Sequence, residues 1–203
     1  MKVICIGRNY SEHAKELNNP IPESPVVFSK PETALLKDNK AFYYPEFSKD
    51  IHYEVEVVIK INQTGKHIQE KFAHKYFDEI SIGLDLTARD IQNECKEKGH
   101  PWERAKAFDH SAVIGTFVSK KDYANLNDIN FHLNLNNKRV QVGNTAQMLF
   151  PIHKILSDVS KFITLKKGDF IYTGTPSGVG PLKIGDHLEA FIEDKKLLEC
   201  KVC

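Results

Sequence analysis

The stretch His52-Tyr53-Glu54-Val55-Glu56-Val57-Val58-Ile59-Lys60 constrains this chain more than any other. β-Branched residues are dense in it, and polar residues alternate with apolar ones, which is the pattern of a strand. Strand side chains at i and i+2 share a face, roughly 6–7 Å apart. Glu54 and Glu56 therefore lie together, and Val55 and Val57 lie opposite. Adjacent carboxylates repel unless water or a cation separates them. A hard divalent ion, Mg2+ or Mn2+, prefers such oxygens. The plain alternative is a solvated strand face, and the pair taken alone favours that alternative.

Composition excludes several classes of function. The chain has 203 residues, enough for one domain, 1–203, burying about 70% of its unfolded surface. Lys plus Arg number 28 and Asp plus Glu 27, so no basic field points to nucleic acid. The apolar runs are too short to span a bilayer, which points away from a membrane. Met1-Lys2-Val3-Ile4-Cys5-Ile6-Gly7 reads as a first strand rather than a signal peptide. Cys5, Cys95, Cys200 and Cys203 form no paired C-x-x-C framework. Cys200 and Cys203 have the spacing but no second pair, and read as strand-end residues. A reducing, cytoplasmic setting is expected.

Along the chain, Asn9–Leu17 reads as a two-turn helix, with Asn9 as N-cap, Glu12 completing a capping box, and Asn18-Asn19-Pro20 as the stop. Val26–Ser29 and Ala41–Tyr44 read as short strands. Gln69–Phe77 shows helical spacing, and Ile80–Leu86 returns to strand. Thr87 is placed to cap a helix that ends at Lys98-Gly99. Trp102–His110 reads as irregular. Phe131–Leu135 and Lys138–Val142 flank Asn136-Asn137, a two-residue hairpin turn. Pro151 suits the first turn of a helix whose buried stripe is Ile152, Ile155, Leu156 and Val159. Lys167-Gly168-Asp169 and Ile184-Gly185-Asp186 are twin turns feeding strands. Strands outnumber helices without regular alternation, so a doubly wound parallel sheet is not expected.

Several residues could carry chemistry. Asp85 ends the strand Ser81-Ile82-Gly83-Leu84-Asp85, where a carboxylate either caps the next helix or serves as a third ligand with Glu54 and Glu56. Arg89, one helical turn on, can face the same cleft; Lys106 follows in Ala105-Lys106-Ala107-Phe108-Asp109, and either cation taken alone reads as a surface residue. His13 and Glu16 share a helix face. A carboxylate on one imidazole nitrogen leaves the other free as a base, although such pairs also occur on solvated helices. Thr173-Gly174-Thr175-Pro176-Ser177-Gly178-Val179-Gly180 is glycine-rich after a strand but lacks the Gly-Lys-Ser/Thr ending of a P-loop. Its donors could hold a carboxylate or polarise a carbonyl.

Together these motifs resemble the fumarylacetoacetate hydrolase superfamily, in its small single-domain branch of acylpyruvate hydrolases and oxaloacetate decarboxylases. The likeness is carried by Gly7-Arg8-Asn9-Tyr10 with His13, Phe28-Ser29-Lys30-Pro31, and His52-Tyr53-Glu54-Val55-Glu56. It continues in Asp85-Leu86-Thr87-Ala88-Arg89-Asp90, Lys106-Ala107-Phe108-Asp109 and Gly168-Asp169-Phe170-Ile171-Tyr172-Thr173-Gly174-Thr175-Pro176. Two departures stand out. Arg139 in Asn136-Asn137-Lys138-Arg139-Val140-Gln141 is shifted one place, which would turn it to the other strand face. Glu193-Asp194-Lys195 replaces a late glycine-rich turn.

The resemblance implies an α+β, mostly β fold: a rolled mixed β-sandwich with peripheral helices, in a homodimer. It implies Mg2+ or Mn2+ on Glu54, Glu56 and Asp85, and a small 2-oxo acid as substrate. It further implies a metal-stabilised enolate as a C–C bond breaks in an acylpyruvate or oxaloacetate. In that scheme Lys106 and Arg89 offset charge, Gln92 meets the distal end of the substrate, and Thr175 holds an oxygen. Arg8 and Asn9 of the opening motif add substrate contacts, and His13, oriented by Glu16, activates water. Two alternatives stay open. One is an isomerase or tautomerase of 2-oxo or dienoate acids, oxaloacetate included. The other is a non-enzymatic metal-binding β protein.

Overall fold

The computed structural model describes residues 1–17 and 20–203. Asn18 and Asn19 of the expected helix stop lie outside the described residues. The strands are β1 (Val3–Gly7), β2 (Val26–Lys30), β3 (Leu35–Leu36), β4 (Ile51–Tyr53), β5 (Val55–Ile61), β6 (Phe77–Asp85), β7 (Thr87–Ala88) and β8 (Ala112–Ile114). They continue as β9 (Val118–Ser119), β10 (Asn130–Leu135), β11 (Lys138–Asn144), β12 (Phe170–Tyr172), β13 (Gly180–Pro181), β14 (His187–Ile192) and β15 (Lys195–Lys201). The α-helices are α1 (Ser11–Glu16), α2 (Arg89–Lys98), α3 (Glu103–Lys106) and α4 (Ile152–Phe162).

The largest sheet runs β2-β1-β12-β5-β6-β8-β3, with β9 on β6. In it β1 is parallel to β12 and β3 to β8, while its other pairs are antiparallel. A second sheet runs β11-β10-β14-β15 and a short third β13-β4-β7. This is the mostly β, mixed-sheet α+β architecture expected.

The central position of β5, between β12 and β6, explains its composition. Val55, Val57, Ile59 and Ile61 enter the main core. Val58 enters a smaller core on the other face, with Val3, Cys5, Phe170 and Tyr172. Each such side chain contributes roughly 1.5–3 kcal/mol on burial. Both faces are covered, so the glutamate face is no solvated surface: Glu54 and Glu56 are 4% and 2% exposed.

The expected strand His52–Lys60 is interrupted at Glu54, where the chain passes from the small sheet to the large one. The backbone bonds there explain the break. The Val55 N–H donates to Gln141 Oε1 at 2.9 Å, and the Glu54 carbonyl accepts the Asp85 N–H at 2.8 Å. Glu54 and Asp85 are thus joined through the main chain before their side chains meet.

Other expectations need correction. Ala41–Tyr44 forms no strand, only a single bridge from Phe42 to Val202. Gln69–Phe77 yields a 3-10 helix over Glu70–Lys75, because Phe77 already pairs with Ile61. Trp102–His110 contains the one-turn α3. Neither expected cap forms: the N-caps of α1 and α2 are Tyr10 and Ala88, without side-chain bonds. Asn9 and Thr87 face the interior, where other groups claim their polar atoms. The α2 stop at Gly99 has the left-handed backbone (φ 67°) expected of a C′ glycine. The Asn136-Asn137 hairpin forms with both residues left-handed, at φ 50° and 64°. The α4 stripe is buried as read.

Candidate active site

Glu54 leads into β5, Glu56 lies on it, and Asp85 ends β6 beside it. One carboxylate oxygen from each lies within 4.8 Å of the other two, and all three residues are buried. The strand periodicity and the β5–β6 pairing make the cluster: Glu56 pairs across to Gly83 and Val55 to Leu84, which sets Asp85 beside Glu54.

Three cations reach two of these carboxylates. Lys106 Nζ donates to Glu54 Oε2 at 2.7 Å, Asp85 Oδ2 at 2.8 Å and Thr87 Oγ1 at 2.6 Å. Arg89 Nη2 donates to Glu54 Oε1 at 2.5 Å. Lys30 Nζ lies 2.8 Å from Asp85 Oδ1 as a charge contact, while its hydrogen bonds go to Ser111 Oγ and to the carbonyls of Leu86, Lys106 and Ser111. Burial would push the Glu54 carboxyl up, but Lys106 and Arg89 outweigh it and hold it well below the usual range. Burial opposes the Lys106 charge, yet Asp85 and Glu54 raise its pKa above the ordinary lysine value.

Glu56 differs. Its only hydrogen bond is from the Gly174 N–H, at 2.6 Å on Oε2, and no cation pairs with it among the described residues. Burial first, then Asp85, push its carboxyl well above the ordinary value, and the Gly174 N–H only partly offsets this. Gly174 sits at φ 104°, and a Cβ there would lie 2.6 Å from Asn9 Cβ, so glycine is what brings this N–H so close.

These observations fit a divalent ion. Glu56 lacks a countercharge, and Asp85 Oδ1 accepts no hydrogen bond. One oxygen from each of the three acids, all within 4.8 Å of one another, is close enough to share a single hard ion. Three hard carboxylates favour Mg2+ or Mn2+ over softer metals.

Around the trio, one cavity is lined by Arg8, His13, Leu17, Phe28, Arg89, Gln92, Lys96, Trp102, Lys106 and Thr175 as well as the three acids. His13 is 5% exposed. Its Nδ1 faces Glu16 Oε2 at 3.4 Å, which leaves Nε2 as the other ring nitrogen. Burial lowers its pKa below the ordinary histidine value, against opposing effects of Glu54 and Glu16. Gln92 Oε1 accepts from Arg89 Nη1 at 2.6 Å, so it orients that guanidinium. Thr175 Oγ1 accepts from Gln141 Nε2 at 3.0 Å.

Asn9 does not line the cavity. Its amide donates to the carbonyls of Phe150 and Thr173 and accepts the Phe150 N–H, which ties the start of α1 to the glycine-rich loop. The shifted Arg139 lies on the exposed face of β11, against His132 Nε2 at 3.1 Å, away from the cavity. Sequence reasoning missed Lys30, Lys96, Trp102 and Gln141. Lys30 stood in the Phe28-Ser29-Lys30-Pro31 motif, and a lysine ending a strand beside buried acids was the available signal. Nothing local marked Gln141, which joins Val55 to the Thr175–Pro176 turn.

The family model described as fumarylacetoacetate (FAA) hydrolase C-terminal matches residues 2–203. The chain belongs to the fumarylacetoacetate hydrolase family. It is 40% identical over 200 residues to the mitochondrial oxaloacetate tautomerase FAHD1 of Mus musculus, covering 98% of this chain and 90% of that one. It is 39% identical over 197 residues to the oxaloacetate tautomerase YcgM of Escherichia coli, covering 97% and 90%. The fumarylpyruvate hydrolase of Pseudomonas aeruginosa, solved with Mn2+ and pyruvate, superposes with a TM-score of 0.94 at 32% identity, covering 100% and 89%. These relatives are enzymes, and the chain is an enzyme of the fumarylacetoacetate hydrolase type, which sets aside the non-enzymatic reading. Among the described residues no helix is long and apolar enough to cross a membrane.

Proposed function

We propose that this enzyme is a divalent-metal-dependent keto–enol tautomerase of oxaloacetate. The observation that carries the reading is the cavity itself. It places the buried His13 beside Glu54, Glu56 and Asp85, which sets one proton carrier next to one candidate metal site. Tautomerisation needs a small acid and one proton carrier. Hydrolysis of an acylpyruvate needs an attacking water as well. The names of the two tautomerase relatives support the same reading.

A Mg2+ or Mn2+ ion held by Glu54, Glu56 and Asp85 would supply Lewis acidity to the carboxylate and keto oxygens of a 2-oxo acid. The chain's residues do the rest. Arg89, oriented by Gln92, and Lys106 present positive charge where negative charge develops on the substrate oxygens. Thr175, fixed by Gln141, offers a hydroxyl to the substrate. In the enol-to-keto direction one proton leaves the C2 hydroxyl and one is added at C3. The neutral His13 Nε2 takes the hydroxyl proton and returns it at C3, and Glu16 holds the ring and stabilises its charged form in between. No co-reactant is consumed.

Acylpyruvate hydrolysis is the second reading, favoured by the likeness to the Mn2+- and pyruvate-bound fumarylpyruvate hydrolase. Product analysis separates them. Enol-oxaloacetate, acetylpyruvate and fumarylpyruvate are each incubated with Mn2+ or with chelator. Metal-dependent ketonisation faster than cleavage of either acylpyruvate is expected. Faster metal-dependent cleavage would establish the hydrolase instead.

A further inference from the structure

The five cations in and under this cavity divide into two sets. Lys30, Lys106 and Arg89 lie 2.5–2.8 Å from oxygens of Glu54 and Asp85. Arg8 and Lys96 also line the cavity, yet among the described residues neither pairs with a carboxylate. Arg8 instead lies over the Trp102 ring at 5.9 Å, and Lys96 lies on α2 two turns beyond Arg89.

Charge counting decides what such a pair is for. Three carboxylates balance Lys30, Lys106 and Arg89. A divalent ion then adds two positive charges, which the carboxylate of a 2-oxo acid and the charge developing on its keto oxygen neutralise. Arg8 and Lys96 remain as two further positive charges with no anion of their own. We infer that Arg8 and Lys96 form a distal anion subsite that takes the second carboxylate of a dicarboxylic 2-oxo acid and selects dianionic over monoanionic substrates.

Two further observations agree. Arg8 holds a left-handed backbone, φ 57°, which a non-glycine residue adopts at a cost that active sites commonly bear. Burial, then Arg89 and Arg8, lower the Lys96 pKa, the mutual repulsion that a bound anion relieves. Gln92, expected to meet the distal end of the substrate, spends its Oε1 on Arg89, so it can add one neutral N–H donor there while Lys96 and Arg8 bring the charge.

The inference rests on the reading of the metal site as one for 2-oxo acids, and calorimetry separates the two. Pyruvate, 2-oxoglutarate and succinate are titrated into Mn2+-loaded wild type, Lys96→Met, Lys96→Arg and Arg8→Gly; glycine suits the left-handed backbone of position 8. Wild type is expected to bind 2-oxoglutarate about tenfold or more tighter than pyruvate, and succinate weakly. Lys96→Met and Arg8→Gly should weaken 2-oxoglutarate by about tenfold and pyruvate by less than about threefold, and Lys96→Arg should restore most of the preference. Pyruvate binding without any preference for 2-oxoglutarate, or equal weakening of both ligands in Lys96→Met, overturns the subsite alone. Failure of pyruvate to bind the Mn2+-loaded wild type overturns the 2-oxo acid reading and the subsite with it.

Discussion

Glu16 accepts the backbone N–H of Gly178 at 3.0 Å, a contact between residues 162 positions apart. The same carboxylate faces His13 Nδ1. One side chain thus orients the candidate base and fastens α1 to the glycine-rich loop over the cavity. A helix of six residues has little stability of its own, so this contact and the burial of His13 and Ala14 hold it in place. A short helix held by so few contacts is suited to act as a lid over the cavity that its His13 lines.

Glu16→Ala should release the lid. Amide exchange over Ser11–Leu17 is expected to speed up by about tenfold, the loss of one charge-assisted hydrogen bond, while the exchange of β5 and β6 stays as it was. Unchanged exchange in α1 would show that packing alone holds it shut.

The pH dependence follows from His13. As a base it must be neutral, and burial lowers its pKa, so the acid limb of kcat/KM should fall below the ordinary histidine value of 6.5. Glu16 raises that pKa, so in Glu16→Gln the limb should move to still lower pH while kcat drops. A limb moving upward in this variant would contradict the pairing.

Lys30 makes a stability prediction. It is 2% exposed and joins Asp85, Ser111 and three backbone carbonyls. Removing one partner of a buried ion pair costs about 3–5 kcal/mol. Lys30→Met should lose about that much in urea unfolding, and a loss under about 1 kcal/mol would mean that Lys106 alone suffices for Asp85.

Glu56→Gln tests the metal assignment. An amide keeps the shape and can still accept the Gly174 N–H, but it cannot neutralise a cation. The variant should fold, with Mn2+ affinity weakened by about 100-fold in calorimetry and the Mn2+-induced rise in Tm abolished. Retained wild-type affinity would remove Glu56 from the site.

Much of this was legible in the sequence wherever local geometry decides. The i, i+2 spacing put Glu54 and Glu56 on one face, the strand end and the helical turn after it offered Asp85 and Arg89, and the family motif supplied the role of Lys106. Patterning gave the α4 stripe and the Asn136-Asn137 turn. What failed was non-local. Asn9 has the right residue type for a cap, but Phe150 and Thr173, from far along the chain, claim its amide. Thr87 likewise serves Lys106. Lys30 and Gln141 act on partners 55 and 34 or more positions away, and no periodicity marks them. The break at Glu54 is a change of sheets, which strand propensity does not encode.

The most direct measurement is stopped-flow ketonisation of enol-oxaloacetate, followed by loss of enol absorbance, in wild type and in His13→Ala with Mn2+ or chelator. Wild type should accelerate the reaction only with the metal, and His13→Ala should lower that acceleration by about 10²–10⁴-fold, with Mn2+ affinity retained. Ketonisation equal to wild type in His13→Ala, or undiminished by chelator, would contradict the account.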